Sequence, residues 1–214
     1  MIERQRVLLA FLAGSRETPG KTQLMKWLFL LREEQPDATR GGFYEFVPYK
    51  YGPFSFQVYR DLAALETAGL LDPGSLDVAT GARERVFAEV GKLPKRASTA
   101  VESVMRAYGH VGRDELLDDV YGRYPWYATR SALRPLQPRR DAPPAVYTVG
   151  YEQWSVDRLL NELMRRGIAR IIDVRKNPIA RRYGFHKSTL SRLASSLAID
   201  YVHFPELGIP SEMR

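Results

Sequence analysis

The residues best suited to chemistry stand in three short motifs near the C-terminus, each directly after a run of apolar residues. Tyr151 and Glu152 follow the first run, Asp173 and Arg175 follow the second, and Glu206 follows the third. A carboxylate beside an arginine can orient the guanidinium group, bind a metal ion or act as a general base. Asp173, Arg175 and Glu206 are therefore the candidate catalytic residues. The alternative is that Asp173 caps a loop and pairs with Arg175 for structural reasons.

The three apolar runs are predicted to be strands, at Ala145–Val149, Ala169–Val174 and Ile199–Phe204. Two segments with helical periodicity separate them, Ser155–Gly167 and about 188–197. In open parallel sheets, ligands bind beyond the carboxyl ends of the strands. This order predicts a partial α/β Rossmann-like three-stranded parallel sheet (βαβαβ). Besides the catalytic candidates, the residues expected at its ligand edge are Gly150, Tyr151 and Glu152.

These motifs resemble the domain-of-unknown-function 488 family. The matching residues are Tyr147–Glu152, Ile172–Arg175, Asn177-Pro178 and Glu206–Ser211. The resemblance corresponds to the opening half of that domain, and it implies a Rossmann-like domain of bacteria or archaea with links to nucleic-acid metabolism. Gly150 and Gly208 are expected to be turns with positive φ or close backbone approach.

Family members continue into further strands that carry a cysteine and a Cys-His-Arg triplet, whereas this sequence ends at Arg214 and has no cysteine. The expectation is that the chain is a fragment or natural truncation, or that something else completes the sheet. An exposed strand edge invites pairing with another chain, so self-association or a protein partner is expected.

A proline-rich segment divides the sequence into two predicted domains. Residues 133–144 contain four prolines, which indicates a stiff linker between a domain at 1–132 and one at 145–214. Before residue 133, Lys and Arg number 18 against 17 Asp and Glu; from residue 133 onward they number 14 against 8. The excess positive charge therefore belongs to the second part.

That charge is concentrated between Arg165 and Arg192, where nine basic residues accompany one acid, Asp173. Arginine matches phosphate oxygens, and the aromatic residues within this stretch could stack on bases. The alternative is a solvated basic surface. The residues predicted here to bind nucleic acid or phosphate are Arg175, Lys176, Arg181, Arg182, Tyr183, Lys187 and Arg192, and Phe185 is the second aromatic.

The first 132 residues have the order of an α+β winged helix-turn-helix-like domain. A strand is predicted at 43–48, and a hairpin is predicted to pair 70–71 with 85–90 across Thr80-Gly81. Helical periodicity recurs at residues 2–13, 21–34, 55–69, 95–108 and 114–121.

Lys21–Leu30, Tyr49–Ser55 and Asp61–Glu66 resemble the helical-winged domains related to the SocA-like, or Panacea, antitoxin domain. The resemblance implies a protein- or DNA-binding module rather than an enzyme. The third helix is predicted to present only one cation and one anion outward. A helix that reads bases in the major groove usually offers Arg, Lys, Asn or Gln side chains to the base edges. DNA and a protein partner therefore stay equal alternatives. Its predicted outward positions are Gln57, Arg60, Asp61, Ala64 and Thr67, and the candidate phosphate-binding lysines are Lys21, Lys26 and Lys50.

Composition excludes several other classes. No apolar run has the length of a membrane-spanning helix, and the N-terminus lacks the features of a signal peptide. The absence of cysteine excludes disulfides and thiolate metal sites, and a cytoplasmic setting is expected. The three histidines have no ligand spacing, so no metal is assigned, and the cofactor is unknown.

The sequence as a whole predicts a two-domain nucleic-acid-binding protein, with DNA favoured. Its basic second domain is expected to contact phosphates, and its winged helix to dock on DNA or a protein. The alternative is an enzyme acting on nucleic acid or a nucleotide. Its site, at Asp173, Arg175 and Glu206, would be completed by further sequence or by a partner.

Overall fold

The computed structural model describes residues 1–133 and 142–208. The chain divides into two compact units, Met1–Leu136 and Gln137–Arg214. Most of the predicted linker lies outside the described residues, as do Ile209, Pro210 and Ser211 of the last motif. The described residues form a mixed α+β structure with eight α-helices and two small two-stranded sheets.

The first unit is mainly helical and contains one short hairpin. Strands β1 (Val47–Tyr49) and β2 (Gly52–Phe54) pair antiparallel. Gly52 has φ +84°, a conformation that glycine adopts without strain, and it begins the second strand. The helices are α1 (Glu3–Gly14), α2 (Lys21–Glu34), α3 (Phe56–Thr67), α4 (Arg83–Val90), α5 (Lys95–Tyr108) and α6 (Arg113–Arg123), and a 3₁₀ turn follows at Pro125–Ala128.

Helix α2 lies at the centre of this unit, and its middle section is enclosed on all sides. Its residues from Leu24 to Leu31, Lys26 included, are buried without interruption, and α5, α6 and β2 pack against it. The ring of Trp27 stacks on Phe11 of α1 at 5.9 Å between centroids, and its indole N–H donates to the Tyr108 carbonyl of α5 at 3.2 Å. A helix enclosed in this way belongs to a core, so α2 sets the positions of its neighbours.

The predicted helices of this unit are confirmed. Those at 21–34 and 95–108 agree with α2 and α5 residue for residue, and the other three agree within two residues at each end. The predicted strand at 43–48 begins later, at Val47. The reason is that Val47 lies opposite Phe54 and the next residue of the partner strand, Ser55, is already the N-cap residue of helix α3, so no strand residue is left to pair with Phe46.

The predicted hairpin is wrong in its second strand. Residues 85–90 belong to helix α4, and Leu71 forms an isolated antiparallel bridge with Val78 instead. Helix α4 packs against α1, where Arg6 binds Glu89 at 3.0 Å. Tertiary contact of this kind overrides a local strand pattern, which is a weak guide in a short segment.

The second unit contains two helices and one parallel strand pair. Helix α7 begins as predicted, because the Ser155 hydroxyl accepts the N–H of Arg158 at 3.1 Å. Gly167 has φ +71°, as suits the residue just after a helix. The elements are α7 (Val156–Arg165), β3 (Arg170–Asp173), α8 (Lys187–Ser196) and β4 (Asp200–His203), with a 3₁₀ turn at Pro205–Leu207.

The predicted strand at Ala145–Val149 is wrong. None of these residues is in a strand, and the side chain of Val146 is 91% exposed. A strand needs both a backbone partner and a covered face, and among the described residues β3 pairs with β4 alone. The predicted three-stranded βαβαβ sheet is therefore a two-stranded parallel sheet in this structure.

Asp173, Tyr201 and His203 lie on the same face of the two-stranded parallel sheet. The register sets Ile171 opposite Tyr201 and Asp173 opposite His203, and these four side chains share a face because successive residues of a strand point to opposite sides. Strand pairing thus brings Tyr201 and His203 to Asp173 from a distant part of the chain.

Candidate functional site

The carboxylate of Asp173 is the centre of the site. It lies at the end of β3 and is only 6% exposed. Its Oδ1 accepts hydrogen bonds from the backbone N–H of Arg175 at 3.1 Å and from Nε of Arg175 at 2.8 Å. Its Oδ2 accepts from Nη2 of Arg175 at 2.6 Å and from the hydroxyl of Tyr201 at 2.5 Å. The two side chains therefore form a two-pronged ion pair that a tyrosine completes.

This environment keeps Asp173 ionised. Burial alone would raise its pKa, but the hydrogen bonds from Arg175 and Tyr201 outweigh that effect and lower the pKa to about 2. The same bond to Asp173 raises the pKa of Arg175 above its ordinary value. Burial and the bond to Asp173 raise the pKa of Tyr201, so its hydroxyl stays protonated as a donor. A carboxylate with so low a pKa is a weak general base at neutral pH.

Tyr151 joins the same cluster from the turn before α7. Its hydroxyl accepts a hydrogen bond from Nη1 of Arg175 at 3.2 Å, and the guanidinium carbon lies 5.2 Å from the centre of its ring. The ring also stacks on Phe185, with 4.4 Å between centroids and 17° between planes. Arg182 holds the turn itself, because its Nη1 donates to the Trp154 carbonyl at 3.0 Å.

His203 connects the ion pair to α8. Its Nε2 lies 2.8 Å from the carbonyl oxygen of Arg175, which only accepts, so Nε2 carries the proton. Its Nδ1 lies 3.0 Å from Nζ of Lys187, a group that only donates, so Nδ1 is the acceptor. The contacts therefore select one neutral form of the imidazole and hold Lys187 beside β4.

The other predicted edge residues are not drawn into this cluster. Glu206 is exposed in the 3₁₀ turn and Glu152 is exposed in the turn before α7; neither contacts Asp173 or Arg175. Gly150 has no positive φ and has open space around its α-carbon, so its predicted turn role is not found.

Gly208 does have the predicted close approach. A Cβ at this position would lie 2.3 Å from the Val174 carbonyl oxygen and 2.6 Å from the Lys176 amide nitrogen. The glycine therefore allows the segment after β4 to lie directly on the backbone that follows β3.

The cations predicted to bind phosphate fall into two groups. Arg175 is committed to Asp173, whereas Lys176, Arg181 and Arg192 are exposed and have no partner among residues 1–133 and 142–208. Arg182 and Lys187 are also exposed, although each makes the contact described above. Tyr183 is half-buried.

The first unit requires one correction to the predicted site. Lys26 is 2% exposed, and its Nζ donates to the Pro53 carbonyl at 2.9 Å. Burial lowers its pKa to about 7, so it is not available to hold a phosphate at the surface. Lys21 and Lys50 are exposed, each about 6.0 Å from the centre of a tyrosine ring.

A second correction concerns the outward face of α3. Asp61 is buried, accepts a hydrogen bond from Nε of Arg4 at 2.7 Å and receives the hydroxyl of Tyr44 at 3.1 Å. It therefore fastens α3 to α1 instead of facing solvent. Arg60 is the cation that remains exposed on this helix.

Sequence reasoning missed Tyr201 and His203 as members of the site, and it considered Phe185 only as an aromatic residue that could stack on a base. Tyr201 and His203 could have been found from their spacing, because residues two positions apart in a strand lie on the same face of the sheet. No such periodic signal marks Phe185.

Within the described parts of the chain, every helix is too short or too polar to span a lipid bilayer. Among the same residues, no group of three or more carboxylate or imidazole side chains is placed to hold a metal ion.

The comparisons with known proteins concern the second unit. The model of the family described as domain of unknown function DUF488 matches residues 155–214, which include β3, α8 and β4. No curated protein matches the chain. The second unit is thus similar to a family that its motifs already indicate.

Proposed function

We propose that this protein binds nucleic acid, and DNA in particular, through a basic surface on its second unit. The basic surface consists of Lys176, Arg181, Arg182, Lys187 and Arg192. The observation that carries the proposal is that these five cations are exposed and close together in sequence around the end of β3 and helix α8. Phosphate contacts by such cations provide most of the affinity of a protein for nucleic acid.

The charge balance around this surface supports the proposal. Asp173, the one acid between Arg165 and Arg192, is buried and paired with Arg175, so it does not offset the surface cations. Two carboxylates from outside the stretch pair elsewhere: Glu162 binds Arg166 and Asp200 binds Arg170. The net charge of the basic surface is therefore positive.

The burial of Phe185 favours phosphate contact over base stacking as the way in which this surface binds nucleic acid. Phe185 is buried and already stacked on Tyr151, so it has no face to offer a base. A surface of this composition binds with little sequence preference, because phosphate contacts carry no direct sequence information.

A salt series tests the proposal. Lys176, Arg181 and Arg192 would be changed together to Gln, and affinity for a random DNA duplex would be measured against salt concentration. Each phosphate contact contributes about one unit to the slope of log affinity against log salt, so the slope should fall by about 3. The matched control changes Arg16, Lys95 and Arg106, three exposed cations of the first unit, to Gln. Equal slopes for the two triple variants would refute the proposal.

A second candidate function is an enzyme acting on nucleic acid or a nucleotide at the same strand ends. The observation in its favour is the convergence of Tyr151, Asp173, Arg175 and His203 from three separate segments. The low pKa of Asp173 weighs against a role as general base, and Glu206 is exposed and is not among the hydrogen-bond partners of Asp173 or Arg175.

The finer fold assignments also stay proposals. A Rossmann-like assignment of the second unit is supported by the parallel pairing of β3 and β4 with α8 between them. A winged-helix assignment of the first unit, and its likeness to SocA-like or Panacea domains, is supported by the order of α1, α2 and α3. With the wing replaced by α4 and a single exposed cation on α3, docking on a protein suits this unit better than base reading.

Association with a second copy is the remaining proposal. Strand β3 has a free edge among the described residues, and exposed apolar side chains lie on and beside it. The unit is small, so its own core covers only part of its apolar surface. The exposed residues are Ile172, Val174, Phe204 and Leu207, the last of which is 65% exposed.

A further inference from the structure

An open groove of about 720 Å³ lies between helix α8 and strand β4. Its helical wall carries serine hydroxyls at three positions of one face, with Lys187 at one end and Arg192 beside them. Tyr201 and His203 form part of the opposite wall. The described residues that line the groove include no carboxylate.

Several hydrogen-bond donors of this groove are unused. Ser191, Arg192 and Ser195 have no side-chain partner within the described parts of the chain. Lys187 uses one of its three N–H groups on His203, and two remain. The hydroxyl of Tyr201 is committed to Asp173, so it does not add to this set.

The walls hold these donors in place. The bond to Nδ1 of His203 places Lys187 at the mouth of the groove, and His203 is itself anchored on the Arg175 carbonyl. Helix α8 begins at Lys187, so the positive end of its dipole lies at the same mouth. Lys187 and Arg192 are five residues apart on this helix, about 7.5 Å along its axis.

We propose that this groove binds a phosphate monoester, either the phosphorylated end of a nucleic-acid strand or a free nucleotide. The strand-end form rests on the nucleic-acid binding proposed above, whereas the nucleotide form does not need it. The groove thus adds recognition of a strand end to the general phosphate contact of the basic surface.

The number of donors is the reason for a monoester. A phosphodiester inside a strand offers two unesterified oxygens and one negative charge. A monoester offers three oxygens and close to two charges near neutral pH. The donors of Lys187, Ser191 and Arg192 lie within about 7.5 Å of one another along the helix axis and include two positive charges, so they match the monoester more fully. One additional hydrogen bond to a charged group should make the preference at least about tenfold.

The test uses the full chain and a single-stranded DNA oligonucleotide labelled at its 3′ end, with either a 5′ phosphate or a 5′ hydroxyl. Affinity is measured by fluorescence anisotropy at one salt concentration. The expected result is that the phosphorylated strand binds about tenfold more tightly. Adenosine monophosphate should displace it, whereas adenosine should not.

Variants locate the preference in the groove. Arg192→Gln and the double change Ser191→Ala with Ser195→Ala should remove the preference for phosphate. Arg181→Gln, on the basic surface but outside the groove, should weaken both oligonucleotides equally and keep the preference. The thermal midpoint of each variant shows whether a loss of binding comes from unfolding. The double serine variant keeps every charge, so it tests the site even if Arg192→Gln lowers the midpoint.

The outcomes separate this inference from the proposed function. Tight binding of both oligonucleotides with no preference overturns the groove assignment and leaves general DNA binding intact. Binding of adenosine monophosphate without DNA binding supports the groove and refutes the proposed function. A preference that survives in both groove variants also overturns the inference.

Discussion

The hydroxyl of Tyr201 in β4 donates a hydrogen bond to the Asp173 carboxylate at the end of β3, with 2.5 Å between the oxygens. The two residues are 28 positions apart, and parallel pairing of their strands makes the contact. Tyr201 and Arg175 together occupy both oxygens of Asp173. The carboxylate therefore joins β3, β4 and the loop after β3.

Changing Asp173 to Asn tests that role. Every group that contacts the carboxylate is a donor, so the amide NH₂ of Asn would face donors and the charge beside Arg175 would be lost. We expect the free energy of unfolding to fall by about 2 kcal/mol. The matched control is Asp200→Asn, which breaks an exposed pair with Arg170 and should cost less than about 1 kcal/mol. A variant with unchanged stability and abolished activity would instead assign Asp173 to chemistry.

The pH dependence of the same pair has a definite sign. The pKa of Asp173 is lowered in the folded state from 3.8 to about 2, so folding favours its ionised form. The stability that it contributes is fully present above pH 3.8 and is lost as the pH falls towards 2. Urea unfolding of the wild type and of Asp173→Asn at several pH values would measure it. The free energies of unfolding of the wild type and the variant should converge as the pH falls towards 2. A difference between them that does not change with pH would contradict the assignment.

Because of Lys26, we expect the free energy of unfolding of the first unit to increase as the pH rises above neutral. Burial lowers its pKa from 10.5 to about 7, so between these values the unfolded chain binds a proton that the folded chain does not. Stability then increases with pH across this window, and the contribution is constant below it. In Lys26→Met this part of the rise should disappear, as measured by urea unfolding between pH 7 and pH 10. The control Lys50→Met removes an exposed lysine and should leave the slope as it is.

Gly208 should not tolerate a side chain. A Cβ there would lie 2.3 Å from the Val174 carbonyl oxygen, a backbone atom that cannot rotate away. We expect Gly208→Ala to lower the free energy of unfolding by about 1–3 kcal/mol, the usual cost of overpacking. Gly150→Ala, where the space is open, is the control and should change the thermal midpoint little. Equal midpoints for the two variants would show that the segment after β4 does not lie on this backbone.

Self-association should depend on the exposed apolar side chains beside β3. Sedimentation of the wild type at several concentrations should show a dimer or larger species. Ile172→Lys combined with Leu207→Lys should shift the chain to a monomer, because burying a lysine in an apolar interface is unfavourable. Phe87→Lys, at an exposed position of the first unit, is the control. A wild type that stays monomeric, with slow amide exchange across 170–204, would refute this prediction.

Local patterns in the sequence were sufficient for most of the helices. The apolar spacing of α2 and α5 and the Ser155 cap of α7 involve residues within a few positions of one another, so each could be recognised without knowledge of the fold. The parallel pairing of β3 and β4 also followed from a strand–helix–strand order. Adjacent motifs likewise placed Asp173 beside Arg175.

The tertiary structure decided which of these groups meet and which are buried. Residues 85–90 became helix α4 because α1 packs on them, and 145–149 formed no strand because no backbone partner lies beside it among the described residues. Lys26 and Asp61 were enclosed by contacts from distant segments, and Tyr201 reached Asp173 through strand pairing. The physical reason is range: helix periodicity and caps act between neighbours in the chain, whereas burial, pKa and strand pairing depend on atoms that are far apart in sequence.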